Sequence, residues 1–183
     1  MVGDEFENES ALGDVQPAQY HMHWNAAHDP MPDGVTFAFS EETAPNFKFD
    51  ANEDYTHRCE IGTQDGKLHI TQKKDSKFRW FSSVVSLNPA LLQERNFCAY
   101  RISATVSART IISALVRLHR PDGTFENHNM RSIVLNEGAN GVCDISQADF
   151  RDIMSDSSLF NPLLILQYQN LSQDILIDEI TVF

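Results

Sequence analysis

Three histidines stand close together in His21-Met22-His23-Trp24-Asn25-Ala26-Ala27-His28-Asp29. A His-x-His pair on an extended strand turns both imidazoles to one face, as metal ligation requires. Such a cluster can hold a divalent ion weakly even without a role. Cys59, Cys98 and Cys143 are the only cysteines. An odd count closes no disulfide framework, and no CxxC or Cys/His zinc spacing occurs. Cys98 alternates with apolar neighbours and reads as a small buried hydrophobe. The chain has no Gly-x-Ser-x-Gly, no phosphate loop, no dinucleotide fingerprint and no His-Glu-x-x-His. Glu41 and Glu42 adjoin and would point to opposite faces of a strand. A carboxylate pair for glycoside hydrolysis is defined by spatial separation, which the sequence does not give.

The charge balance narrows the partners. The 183 residues carry 26 acids and 14 bases, a net charge of −12. Residues 1–34 hold seven acids (Asp4, Glu5, Glu7, Glu9, Asp14, Asp29, Asp33) and no Lys or Arg, which leaves the rest at −5. A nucleic-acid binder needs a basic footprint, which this balance opposes. An anionic membrane surface would repel the chain. No run of about 18 apolar residues exists for a membrane span. The first 30 residues lack the basic and apolar regions of a signal segment. Together with the unpaired thiols, this favours a cytoplasmic setting.

The elements that must position these groups are mostly strands. Residues 1–34 read as an acidic linker or docked extension, although Tyr20, Met22 and Trp24 alternate with His21 and His23 as a short strand would. From Val35 onward, β-rich runs are separated by turn signals. Val35–Phe39, Phe47–Asp50, Arg58–Ile61, Lys67–Gln72 and Arg79–Leu87 are predicted strands. Gln64-Asp65-Gly66 predicts a tight turn. In Cys98–Ser107 the even positions are apolar and Arg101, Ser103 and Thr105 face the other way. In Ile111–His119, Ile112, Ala114, Val116 and Leu118 share one face, so Arg117 and His119 face outward. Pro121-Asp122-Gly123 turns the chain into His128–Leu135. Leu163–Tyr168 suits a central strand, and Ile175–Phe183 closes the chain. Helical signals are short: Asn88–Glu94, with an Asn cap and Pro89 at the first turn, and Ser146–Met154. About ten strands, two short connecting helices and no βαβ alternation predict an all-β sandwich over residues 35–183.

Several segments in order resemble the jelly-roll β-sandwich of carbohydrate-binding modules and galactose-binding-like domains. Phe37-Ala38-Phe39-Ser40-Glu41-Glu42 resembles an opening strand running into acids. Gly66-Lys67-Leu68-His69-Ile70 resembles a recurrent turn and strand, and Tyr100–Val106 the long central strand. Leu164–Tyr168 followed by Ile175–Val182, with Ile177-Asp178-Glu179-Ile180, resembles the closing pair. The resemblance covers residues 35–183 and implies a non-catalytic glycan-binding module beside a catalytic domain, such as a polysaccharide glycosyltransferase or a hydrolase. Alternatives are a protein-interaction or oligomerisation sandwich and a small sandwich hydrolase or lyase.

The resemblance also implies sites. A structural calcium ion would take Glu41 or Glu42 and Asp178, since calcium gathers six to eight oxygens. Independently, Asp178 interrupts the apolar alternation, and a bulge at Asp178–Glu179 would turn both Ile177 and Ile180 inward. Glycans stack on flat aromatic faces with polar groups placed for hydroxyls. Tyr55, in a polar loop, and Trp80 are the aromatic candidates. Phe78 and Phe81 are their neighbours on a strand with one core face, and a tryptophan placed like Trp80 is more often a core residue in a sandwich. Arg101, Arg117 and His119 lie on outward strand faces. The two arginines could grip acidic sugars through planar contacts, or belong to an ordinary solvated surface.

Overall fold

The computed structural model describes residues 20–51, 59–72, 81–169 and 174–183. The described chain forms two antiparallel sheets face to face. In order, the strands are β1 (Met22–Asn25), β2 (Thr36–Phe37), β3 (Glu42–Ala44), β4 (Phe47–Ala51), β5 (Cys59–Gln64), β6 (Lys67–Gln72), β7 (Phe81–Ser86), β8 (Ala99–Val106), β9 (Thr110–His119), β10 (Phe125–Leu135), β11 (Gly138–Ile145), β12 (Phe160–Gln169) and β13 (Asp174–Val182). Helix α1 (Pro89–Glu94) joins β7 to β8, and α2 (Phe150–Ile153) joins β11 to β12. One sheet runs β11-β8-β13-β6-β5-β2 with β1 added to β13; the other runs β10-β9-β12-β7-β4-β3. The chain changes sheet at most connections, which gives a jelly-roll-like sandwich.

Period-two burial explains the layers. In β9 every second residue from Thr110 is buried, and β8 follows the same rule from Tyr100 to Val106. The inward faces supply Tyr100, Tyr168, Phe47, Phe49 and Phe81, and helix α2 adds Phe150, all essentially inaccessible to solvent. Phe49 stacks on Phe81 with centroids 5.5 Å apart, and Phe47 meets Phe49 edge-on at 4.9 Å. Each such ring fully removed from water contributes about 1.5–3 kcal/mol. Cys59, Cys98 and Cys143 are all buried thiols. Burial pushes the Cys59 and Cys98 thiols up to about 12.

Turn chemistry sets the registers. Asp65 and Gly66 both have positive φ, 54° and 77°, closing a two-residue hairpin between Gln64 and Lys67. That geometry matches the right-handed strand twist and favours Asp-Gly. Asn88 caps α1 as predicted, its side-chain oxygen accepting from Ala90 N at 3.0 Å. The second helix is shorter than predicted and its cap is Asp149 rather than Ser146. Ser146 instead accepts from Ala148 N within a turn.

The leader docks on the sandwich from Tyr20 onward. β1 pairs with the second half of β13, Met22 opposite Val182 and Asn25 opposite Glu179. The first half of β13 pairs with β6 on the same edge. The handover is at Asp178, where the register with β8 shifts between Ile177 and Glu179. Ile177 and Ile180 are both fully buried there, as the broken alternation predicted.

Candidate functional site

The outer face of the six-stranded sheet brings together residues from β9, β10 and β12. The hairpin register sets Phe125 opposite His119 and Asn127 opposite Arg117. On the other side of β9, Phe160 is also opposite His119. Residues directly opposed in an antiparallel pair share a face. His119 therefore lies between two phenylalanines, and these are 52% and 49% exposed. Adjacent strands lie about 4.8 Å apart, so Phe125 and Phe160 stand roughly 10 Å from each other across the sheet. Two half-exposed rings set in register across one strand make this face a candidate contact surface.

Local irregularity aims Phe160. The register of β12 against β9 shifts between Phe160 and Leu163, and Asn161 takes a positive φ of 48°. The freed Asn161 carbonyl accepts a hydrogen bond from His119 Nδ1 at 3.0 Å, which fixes the imidazole and leaves Nε2 for another partner. The His119 and Phe160 rings lie 6.2 Å apart. The Arg117 guanidinium lies over the Phe125 ring, 4.1 Å from its centroid, and its Nε donates to Asn127 Oδ1 at 2.9 Å. Further along the face, Gln169 donates to Ser113 Oγ at 3.1 Å, and Ser113 bonds Ser132 at 3.0 Å. Flat rings, a fixed imidazole, a stacked guanidinium and a row of amides and hydroxyls therefore share one surface.

Of the sequence candidates, Arg117 and His119 lie here. Arg101 does not: it sits on β8 in the opposite sheet. Its Nε and Nη2 both donate to Glu179 Oε1, at 3.0 and 2.8 Å. Glu179 Oε1 also accepts from Thr181, whose hydroxyl oxygen accepts from His23 Nδ1 at 2.8 Å. Arg101 is thus committed to a network that ties β1 to β8 and β13. Tyr55 and Trp80 lie outside the described residues, as does Phe78. Phe81 is wholly buried.

The acidic candidates are dispersed. Glu41 and Glu42 are exposed beside and on β3, while Asp178 in the other sheet holds Lys67 Nζ at 2.6 Å. The histidine cluster also divides. His21 Nδ1 accepts from Asn88 N at 2.8 Å, His23 turns to Thr181, and His28 is exposed. Among the described residues no three His, Cys, Asp or Glu side chains gather as a metal would need. His21 is only 5% exposed. Burial, and secondarily the nearby Arg95 charge, push its imidazole down to about 4. A cleft of about 600 Å³ lies beside it, between the β1 segment and Thr43–Asn46, and is lined by Tyr20, Trp24, Met31 and three prolines.

Phe125 and Phe160 were missed because the predicted strands began at His128 and Leu163, which left both residues in connections, whereas β10 and β12 begin at these phenylalanines. For Phe125 a signal exists. Once His119 is placed outward, a hairpin centred on Asp122 sets Phe125 opposite it, on the same face. Phe160 carries no such signal, since its position depends on the β12 irregularity.

No family model matches the sequence, and no curated protein does. Solved structures do. The C-terminal family 22 carbohydrate-binding module of Clostridium thermocellum Xyn10B aligns over 92% of this chain and 95% of its own, with TM-score 0.56 and 10% identity. The CBM22-2 xylan-binding domain of Paenibacillus barcinonensis Xyn10C aligns over 88% and 98%, with TM-score 0.53 and 9% identity. The CBM22-1–GH10 modules of C. thermocellum xylanase 10B, solved with xylohexaose, align over 89% of this chain and 28% of theirs, with TM-score 0.53 and 8% identity. At such identities the likeness establishes the fold, that of carbohydrate-binding-module sandwiches.

Proposed function

We propose that this chain is a non-catalytic glycan-binding module that delivers a neighbouring glycan-active domain, a glycosyltransferase or a hydrolase, to its polymer. The observation that carries the reading is the pair of exposed phenylalanines in register on either side of His119. Their separation suits every second ring of an extended polysaccharide rather than neighbouring ones. Each phenyl face can cover the apolar side of a pyranose, and Arg117, Asn127 and His119 supply polar groups at the edges. The solved sandwiches of like fold include modules described as xylan-binding, so xylan is the first polymer to test.

Affinity electrophoresis through gels containing xylan, β-glucan or mannan tests this. The wild-type chain is expected to be retarded by at least one polymer. Phe125→Ala and Phe160→Ala should each weaken binding about fivefold or more, since loss of an aromatic contact costs about 1–3 kcal/mol at such interfaces. Unchanged retardation in both variants would remove the face from the reading. The second reading is a protein-interaction or oligomerisation sandwich, which the same exposed rings also favour. Concentration-dependent association abolished by Phe160→Ala, with no glycan bound, would select it.

A further inference from the structure

We propose that the glycan held on this face carries carboxylates, as a uronic-acid-bearing polysaccharide does, and that Arg117 is the residue that reads them. This rests on the glycan-binding reading of the same face and narrows its ligand class.

Arg101 pairs with Glu179, Arg120 with Glu126 and Asp156, Arg131 with Asp144, and Arg151 with Asp149. Arg117 has no carboxylate within ion-pair distance among the described residues. That isolation is notable in a chain with 26 acids. Its outward neighbours on β9, β10 and β12 are apolar, amide, hydroxyl or imidazole side chains, with no Asp or Glu among them. The face is therefore locally positive on an acidic molecule, and no carboxylate among these neighbours repels an incoming anion.

Arg117 is also prepared for a planar partner. Stacking on Phe125 and the Nε bond to Asn127 hold the guanidinium in one orientation. Neither contact uses the two Nη groups. Together those groups offer up to four donors, enough for a carboxylate with both oxygens engaged. Because the fork is already ordered, less side-chain entropy is lost on binding. A neutral hydroxyl would also be bound, but it gains much less from the charge. Phe160, on the other side of His119 and not covered by the guanidinium, is placed to stack on another sugar ring of the same polymer. His119 Nε2, two residues further along the strand, can bond a neighbouring hydroxyl.

The test measures binding to glucuronoxylan and polygalacturonate, and to the same polymers with their carboxyl groups reduced to alcohols. Wild type is expected to bind at least one acidic polymer tenfold or more tighter than its reduced form, the range expected for a hydrogen-bonded charge. The preference should shrink as salt is raised. Arg117→Met should abolish the preference, bringing the affinity for the acidic polymer down to that for its reduced form, while the reduced polymer loses far less. Arg117→Lys should recover only part of it, and Phe160→Ala should weaken both forms equally. Equal wild-type affinity for acidic and reduced polymers overturns the inference and leaves the glycan reading standing. A preference that survives Arg117→Met overturns it as well. No binding to any polymer overturns both. Circular dichroism of each variant confirms that the sandwich is retained.

Discussion

Acid should destabilise this fold through one imidazole. His21 Nδ1 accepts the Asn88 backbone N–H at the start of α1, so the docked ring must be neutral. Its pKa is about 4 in the folded chain against an ordinary 6.5. The unfolded state therefore takes up the proton first as pH falls. The associated stability is fully present above about pH 6.5 and is lost progressively down to about pH 4. At about 1.4 kcal/mol per pH unit, this gap corresponds to roughly 3 kcal/mol. The ring is 5% exposed, so solvent screening does little to reduce that figure. For a chain of this size it translates into a fall in Tm of roughly 6–12 °C between pH 7 and pH 4. The assay is thermal unfolding at closely spaced pH values for wild type and His21→Gln. The amide can accept the same N–H but does not titrate. The variant should be somewhat less stable at pH 7, and its curve should be flatter by the amount given. Carboxylates titrate alike in both proteins and cancel in the difference. Parallel curves from pH 7 to pH 4 would refute the reasoning.

Three further outcomes can be checked. Gly66→Ala should cost about 1–2 kcal/mol in urea unfolding, because a side chain there must accept positive φ and its Cβ would lie 2.9 Å from Pro30 Cβ. Trp24→Ala should cost about 3–5 kcal/mol, as removal of a buried large ring does; a loss below 1 kcal/mol would mean that β1 is not part of the cooperative core. Cys59 and Cys98, buried and with thiols held up to about 12, should resist a thiol reagent at pH 8 in the native chain and react fully in denaturant.

Most of the sandwich was legible because its strands obey a period of two. Lys67–Gln72 was predicted with the ends it has, since an Asp-Gly turn fixes one end and alternation the rest. Two edge strands escaped. β11 contains Gly138, Asn140 and Gly141, residues depleted in strands, and is held by pairing with β8 rather than by its own propensity. β3 has only three residues and lies at the other sheet's edge. The candidate site divided along the same line. Arg117 and His119 were placed correctly by alternation, but alternation alone does not say which sheet a strand joins. It therefore set Arg101 beside them when the fold puts it on the opposite surface. The bulge at Asp178 was visible as a broken rhythm. The Lys67 partner of that aspartate was not, because it depends on which strand lies alongside.

The pairing of β1 with β13 has a mechanical consequence. Met22 faces Val182, and His21 N donates to Val182 O at 2.8 Å, so the strand nearest the start of the described chain lies antiparallel to the one at its end. A pull applied at both ends loads these bonds one after another, as in unzipping, rather than all together, as in shear. Tension transmitted through the polypeptide would peel β1 away first and release Met22 and Trp24, before force reached the bonds joining β9 to β10 and β12 in the other sheet. The face bearing Phe125 and Phe160, on the other sheet, would keep its shape through that first step. An attachment that yields at its joint while its grip stays intact would let a tethered neighbour gain reach without letting go.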